Sequence, residues 1–573
     1  MHIETVIDFK DLGQRLRFTQ PIKELIAKEL NQVEAVLQAV NDYQAKGFYV
    51  VGYVSYEAAS AFDSHFQVSS HRLAGEYLAY FTVHDQVQTE DFPLTYAPVD
   101  LPNQWKPNIS KERYDEAIAD IKSQIRQGNT YQVNYTLELS QRFRADAWKI
   151  YQRLMVEQGA GYNAYIAYDD KRILSVSPEL FFKRFGNTLV TRPMKGTTAR
   201  KPQFKADLEA KAWLAADFKN RAENMMIVDL LRNDMGRICR TGTVKVCKLC
   251  DVEQYRTVWQ MTSTIEGELD PSTSLLQIFQ ALFPCGSITG APKISTMAII
   301  NRLEERPRGI YCGTIGICLP NGRAIFNVPI RTLQMRGDQA YYGVGGGITW
   351  DSQAGDEYEE TRQKSAVLTQ VSPPFALITT AKVEKGQIKF YNEHLKRLKE
   401  AAQYYDYPYH QAPLEGQLSK LLRNLEQETY RLKINLTKSG KFILDCQILE
   451  DLPKGFQKAI LVKQEDKDSQ SAFAYFKTSY RPHRQPAQQE QIYHLSDGRL
   501  TETSIGNLVL EVDGEWVTPP VSLGLLDGIY RRHLLETGKV TERVLTLDDL
   551  KAATAVYACN ALRGLYPLTL PKE

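Results

Sequence analysis

At 573 residues the chain is too long for one ordinary hydrophobic core, so two or three domains are expected. Hydrophobic residues make up 43% and charged residues 24%, which are globular values. The net charge of +2 gives no strong field for nucleic acid or an anionic membrane, and no run of 18 apolar residues marks a transmembrane span.

The opening residues, MHIETVIDFKDLGQRLRF, lack the long apolar core of a signal peptide, and a cytoplasmic enzyme is the expected class. Residues 1–105 alternate short β-rich runs (FYVVGYVSY, EYLAYFTVH) with a helix placed over 22–40. Pro93, Pro98, Pro102 and Pro107 then punctuate a connector. Ser110 caps an amphipathic helix with Tyr114, Ile118, Ile121 and Ile125 on one face, ending at Gly128. NTYQVNYTLELSQRF follows as a strand, and residues 166–194 form two or three antiparallel strands.

The stretch TRPMKGTTAR, 191–200, brings a strand into a tight turn at Gly196. A Lys at that strand end can face a pocket, where burial lowers its pKa and frees its lone pair for nucleophilic attack. Lys195 is therefore a candidate nucleophile, with a surface Lys as the alternative. Residues 207–232 are expected to be helical. FPCGSITGAPK is a turn feeding a helix, whose free N–H groups suit a carboxylate or phosphate. YCGTIGICL, AIFNVPIRTLQM and QAYYGVGGGITW read as three strands. The run Gly343–Ile348 points to close backbone approach to a ligand, and it is no nucleotide-binding fingerprint. In the helix after it Glu357 and Glu360 share a face, as do Glu360 and Lys364. That pattern suits a solvated ion pair, or a Mg²⁺ site if Glu223 converges on it. Cys247 and Cys250 form a CxxC with no second pair, so reduced cysteines are expected rather than a zinc site.

SPP at 372–374 marks the main boundary, giving domains 1–370 (lobe 1–105, core 110–370) and 375–573. The second segment runs strand, turn, strand, helix, then the hairpin-like RLKINLTKSGKFILDCQIL. The exposed loop HRQPAQQEQ, another meander, and a closing helix and Ala-rich strand follow. The fold class is α/β (α+β), and two unlike segments in tandem argue for a fusion of two activities.

SPELFF, RPMKGT, KNRAENMMIVDLLRND, FPCGSITGAPK, IRT and GGGI followed by DEYEET occur in one order. On these motifs residues 110–370 resemble the chorismate-utilising enzymes, with large antiparallel sheets and flanking helices. The Lys of PMKGT makes the likeness closest to the aminodeoxychorismate synthases, because anthranilate synthases carry Ala there. The resemblance implies that Lys195 adds to chorismate at C2 as hydroxide leaves C4, and that ammonia then attacks C4. It implies Glu179 as general acid/base and Glu223, Glu357 and Glu360 around Mg²⁺. It implies substrate contacts from Arg331, Tyr311, Gly346, Gly347, Ser287, Lys364 and Thr197. Gln260 stands where relatives often carry His, and Cys285 where Gly is common. No Gly-rich elbow surrounds any Cys, so ammonia is expected from a separate glutamine amidotransferase subunit or free ammonium.

HLKRL, FKTSYR, TETSIGNLVL, TPPVSLGLLDGIYRR and NALRG make residues 375–573 similar to two-lobed fold-type IV pyridoxal-phosphate enzymes, and within them to 4-amino-4-deoxychorismate lyases. By that resemblance Lys477 is the Schiff-base lysine and Glu502 the partner of the pyridine nitrogen. Arg397 clamps the phosphate, with backbone N–H groups near Ile529 and Ala561. The opening GDGVFET stretch of such enzymes is replaced by PFALITTAK. The segment is thus read as an active lyase, a transaminase or a structural module, and homodimerisation through it is expected. The combined expectation is a synthase–lyase making 4-aminobenzoate for folate biosynthesis from chorismate. Its alternatives are a synthase with a structural C-terminal half, or an anthranilate synthase.

Overall fold

A computed structural model describes the chain apart from residues 1–2, 71–75, 370, 372–373, 424, 426–427, 453, 483, 485–488 and 571–573. The chain divides into two compact units. One comprises residues 1–199 and 211–372; the other comprises residues 200–210 and 373–573. The α+β class with large antiparallel sheets is what the chain forms.

Among the described residues the first unit holds two ten-stranded sheets. One runs from Gly290–Ala291 through Gln132–Arg142, Gln339–Ile348, Thr332–Arg336, Lys171–Ser177 and Tyr162–Tyr168 to the N-terminal strands. The other runs from Met194–Ala199 through Val258–Glu268, Thr188–Arg192, Leu180–Phe185, Ala324–Asn327 and Thr314–Cys318 to Tyr49–Val54 and its neighbours. Residues of both sheets, among them Ile7, Phe9, Ile166 and Ile173 from one and Val51, Tyr53, Ile315 and Ile325 from the other, share one buried cluster. The sheets therefore pack face to face, as two sheets with apolar inner faces must.

Helices close the outer faces. Leu30–Ala45, Phe218–Gly236 and Leu275–Leu282 cover the second sheet around Phe182, Phe279 and Phe326. The Phe279 ring meets the Phe182 and Phe326 rings edge-on at 5.7 and 5.3 Å, each pair adding about 0.5–1.5 kcal/mol beyond area burial. Lys111–Arg126, Ala147–Gln158 and Lys293–Glu304 cover the first sheet. The cap at Ser110 is present, its side chain accepting from Arg113 N.

Three expectations need correction. The helix placed over 22–40 is Leu30–Ala45, and Lys23–Ala27 is a strand instead. KELIA pairs with Ala79–His84 and buries alternate residues, while the helix begins at a capping box between Glu29 and Gln32. The single helix over 207–232 is two, Phe204–Ala216 and Phe218–Gly236. Asp217 breaks it because its carboxylate accepts from Asn220 N and so starts a new helix. AIFNVPIRTLQM is two strands, Ala324–Asn327 and Thr332–Arg336, interrupted around Pro329, which has no N–H for a ladder.

Among the described residues the second unit contains a four-stranded sheet built on Leu377–Glu384 and Thr429–Leu436, and an eight-stranded sheet built on Leu500–Thr503 and Asn507–Val512. The hairpin reading of 431–449 holds, with Leu436 opposite Phe442. Most of HRQPAQQEQ and the SPP boundary lie outside the described residues.

Candidate functional sites

In the first unit, Lys195 lies in Met194–Ala199, the edge strand of its sheet. Its register against Val258–Glu268 shifts between Met194 and Thr197, so the chain bulges at Lys195 and Gly196. Gly196 has a φ of +87°, and a Cβ there would sit 3.0 Å from the Asn220 side chain. Only glycine meets both demands. Three hydrogen bonds fix the bulge. Asn224, wholly buried, donates from Nδ2 to Lys195 O at 3.3 Å. Gln260 donates from Nε2 to Gly196 O at 2.8 Å, and its Oε1 accepts from Thr197 Oγ1 at 2.9 Å. Gln260 thus ties down the loop that presents Lys195. Burial holds the Lys195 amine below its ordinary pKa, opposed by the charges of Glu223 and Glu179.

Glu179 follows Pro178 at the start of Leu180–Phe185 and is 3% exposed. Its Oε1 accepts from Ser287 Oγ at 2.6 Å. Burial pushes the carboxyl up to about 7, against the Ser287 hydrogen bond and the nearby Lys195. An acid that holds its proton near neutrality and an amine that sheds one easily therefore share a site. Ser287 belongs to a short turn before Lys293–Glu304, where Cys285 Sγ lies 3.1 Å from Ser287 Oγ.

Gln339–Ile348 pairs with Gln132–Arg142, placing Gly346 opposite Tyr135 and Gly347 opposite Asn134. A Cβ on Gly346 would meet Glu357 Oε2 at 3.4 Å, Lys364 Nζ at 3.6 Å and Glu360 Oε1 at 3.7 Å. One on Gly343 would strike the Tyr311 ring at 2.4 Å. The glycines thus make room for the ring and for the charged face of the helix Ala354–Ser365. Lys364 Nζ reaches Glu360 Oε1 at 2.6 Å and Gly345 O at 2.8 Å, so the i,i+4 ion pair forms. Lys364 is the largest cause of a lowered pKa at Glu360. Burial raises Glu223 and Glu357, and each is raised further by the charge of Glu360. Glu223 and Glu357 thus each feel the charge of Glu360, although no three His, Cys, Asp or Glu side chains among the described residues converge tightly enough to hold a metal as they stand. Arg331, at a φ of +52°, donates to Gln158 Oε1 at 2.6 Å, and burial lowers its pKa.

In the second unit, Lys477 is held beside the strand Leu377–Glu384, its carbonyl accepting from Ile378 N at 2.8 Å. Burial drives its amine well below the ordinary value, helped by Arg397, Arg481 and Arg484. Arg397 donates to Thr379 Oγ1 at 2.7 Å, which also meets His394 Nδ1 at 2.7 Å. Burial and Arg532 lower Arg397 to about 10. Ile529 opens the helix Ile529–Glu536 with Gly528 as its cap, and Ala561 lies between Ala555–Asn560 and Gly564–Leu568. Glu502 is 2% exposed in Leu500–Thr503, pairs with Arg484, and accepts from Leu526 N at 3.2 Å. The buried Arg397 Nε, Arg481 Nε and His394 Nε2 have no hydrogen-bond partner among the described residues. Such orphaned cationic and neutral donors fit an anionic guest.

Arg484, Asn224 and Gln158 were not legible as site residues. Each is a polar side chain whose role depends on a partner far along the chain. All eight cysteines are free, with Cys247 exposed and Cys250 buried. No helix among the described residues is long and apolar enough to cross a membrane.

Residues 5–370 match the family model of the chorismate binding enzymes, and residues 376–570 match that of amino-transferase class IV. Over 274 residues the chain is 40% identical to aminodeoxychorismate synthase component 1 of Salmonella typhimurium, a stretch covering 47% of this chain and 60% of that protein. Over 283 residues it is 36% identical to anthranilate synthase component 1 of Streptomyces coelicolor, covering 49% and 55%. The chain thus spans less than two thirds of the length of these curated relatives. Its fold is similar to that of anthranilate synthase component I from Streptococcus pneumoniae TIGR4, with a TM-score of 0.53 at 26% identity over 64% of this chain and 90% of that one.

Proposed function

Because the chain belongs to the chorismate binding enzymes, we propose that its first unit aminates chorismate at C4 with ammonia to give aminodeoxychorismate. Its second unit then releases pyruvate, leaving 4-aminobenzoate. The observation that carries the first step is the pairing of a Lys195 amine of lowered pKa with a buried Glu179 carboxyl raised to about 7.

Chorismate is a dicarboxylate, and its C4 hydroxyl must leave. Lys195 Nζ forms a bond to C2, both ring double bonds shift one place (C1=C2 to C6=C1, C5=C6 to C4=C5), and the C4–O bond breaks. Glu179 gives its proton to the departing hydroxide, so water leaves. The Lys195 nitrogen keeps both its protons as a secondary ammonium. Ammonia then forms a bond to C4, both double bonds shift back, and the C2–N bond breaks to return Lys195 as a neutral amine. The surplus proton on the new C4 nitrogen passes to the Glu179 carboxylate, which restores the acid. The balance is chorismate plus ammonia to aminodeoxychorismate plus water.

Arg331 and Lys364 offer cations to the two carboxylates, and Tyr311 and the backbone at Gly346 and Gly347 line the ring. Thr197 and Gln260 hold the Lys195 loop. Oxygen donors suit Mg²⁺, which binds through one or two carboxylates and keeps waters. Glu357 and Glu360, with Glu223 nearby, would hold it, and the chemistry supplied is neutralisation of substrate carboxylate charge. Ammonia comes from a separate glutamine amidotransferase or from free ammonium.

In the second unit Lys477, Arg397, Glu502 and the backbone at Ile529 and Ala561 would hold pyridoxal phosphate. The chemistry supplied by that cofactor is an electron sink. Arg397 would meet its phosphate, Glu502 would accept a hydrogen bond from its protonated ring nitrogen, and Lys477, kept neutral by burial first and by its arginine neighbours second, moves protons.

The test of the amination is intact-mass analysis of the chain quenched during turnover with chorismate, Mg²⁺ and ammonium. A chorismate-derived adduct mapping to Lys195 is expected, and Lys195→Ala lacks both adduct and amination. A Lys195→Ala chain that still aminates at the parent rate refutes the covalent route.

A further inference from the structure

Residues 200–210 belong to the second unit, although chain order sets them within the first. They are tied to the helix Tyr391–Tyr405, which carries His394 and Arg397. Arg200 donates from Nη2 to Tyr404 O at 3.0 Å, and its guanidinium lies over the Tyr404 ring, 4.4 Å from the centroid. Asp207 orients that guanidinium, accepting from Arg200 Nε at 2.8 Å and from Lys201 N at 2.8 Å. The Arg200 and Asp207 side chains are only 5% and 1% exposed. Phe204 packs against the apolar cluster that holds Leu395, Leu398, Tyr404 and Phe476.

A helix leaves its last carbonyls without partners inside the helix. Here Ala402 O accepts from Tyr407 N at 2.9 Å, and Tyr405 O from Lys438 Nζ at 2.9 Å. Tyr404 O accepts from Arg200. A cation at that end also meets the negative pole of the helix dipole. Arg397 precedes Tyr404 by about two turns, on the same face of the helix. The Tyr404 ring lies against the Phe476 ring, with centroids 4.4 Å apart, and Phe476 stands next to Lys477 in the chain.

We propose that Arg200 is a positioning residue of the second unit. It fixes the end of the helix that bears Arg397 and, through the Tyr404–Phe476 ring pair, the backbone that bears Lys477. The inference rests on the reading of Arg397 and Lys477 as residues that hold pyridoxal phosphate. The second fold is then incomplete without a segment drawn from the sequence of the first. A chain cut just before residue 375 would lack it.

The experiment uses the full chain in two measurements: hydrogen–deuterium exchange read by peptide mass, and titration with pyridoxal phosphate read by absorbance. One variant combines Arg200→Met with Asp207→Asn, which removes the guanidinium without stranding a buried carboxylate. The other is Tyr404→Leu, which keeps the backbone carbonyl and loses the ring. In the double variant, amides in peptides covering 398–407 and 472–480 are expected to exchange about tenfold faster, and the Kd for pyridoxal phosphate to rise about tenfold, for one lost hydrogen bond and one cation–ring contact. In Tyr404→Leu the faster exchange is confined to 472–480. At saturating cofactor the kcat for pyruvate release falls in both, with the KM for aminodeoxychorismate within about twofold. Unchanged exchange at both segments, or an unchanged Kd for the cofactor, overturns the proposal. Faster exchange throughout the second unit marks general destabilisation and overturns it too. So does a raised KM with kcat intact, which would assign Arg200 to substrate binding. A parent chain that binds no pyridoxal phosphate refutes the cofactor reading separately, and exchange at 398–407 and 472–480 still decides whether Arg200 positions those segments.

Discussion

Replacing Glu179 by Gln removes a carboxyl whose pKa is about 7 in the folded chain and 4.5 in its ordinary state. Between those values the folded state keeps a proton that the unfolded state has already lost. Stability therefore falls as pH rises through this window, since the folded form binds more protons. At one pKa unit per 1.36 kcal/mol, the whole window costs the parent about 3 kcal/mol by pH 8. Gln carries no such charge. Glu179→Gln is thus expected to match the parent near pH 4 and to exceed it by about 3 kcal/mol at pH 8. Five of the six tryptophans, Trp105, Trp148, Trp213, Trp259 and Trp350, lie in the first unit, so urea unfolding followed by tryptophan fluorescence reads mainly that unit. A stability difference of equal size at pH 5 and pH 8 refutes the raised pKa. Catalysis provides the second readout. As general acid Glu179 must be protonated, so kcat/KM for chorismate at fixed free ammonia falls above about pH 7 in the parent. The variant loses that limb, along with about 10²- to 10⁴-fold in rate.

Gln260→Ala removes the hydrogen bonds to Gly196 O and Thr197 Oγ1; amination is expected to slow about tenfold, for roughly 1.4 kcal/mol of lost positioning, with the KM for chorismate little changed. Lys477→Ala is expected to leave amination intact while aminodeoxychorismate accumulates in place of 4-aminobenzoate, which chromatography of the products resolves. Arg308→Met strands Glu304, now paired to Arg308 at 2.6 Å with both side chains 1% exposed, and is expected to destabilise the first unit by about 3–5 kcal/mol in urea.

Much of the candidate site was legible because its residues sit in short motifs. Lys195 stands beside a glycine whose positive φ the turn requires, and Glu357, Glu360 and Lys364 follow helical spacing. Glu179 was legible as a carboxylate, while its depth was not, because that depth comes from Ser287 and the packed sheets. Arg484 escaped because its partner Glu502 is brought to it only by the fold. The helix boundaries at 22–40 and 207–232 failed locally, where a strand pairing and the Asp217 cap outweighed helical periodicity.

The central claim is amination at C4 followed by pyruvate release, and identifying the products of one incubation tests it most directly. The purified chain is supplied with chorismate, Mg²⁺ and ammonium, with and without pyridoxal phosphate. The expected result is aminodeoxychorismate without the cofactor and 4-aminobenzoate plus pyruvate with it. Anthranilate as the product, or no consumption of chorismate, contradicts it.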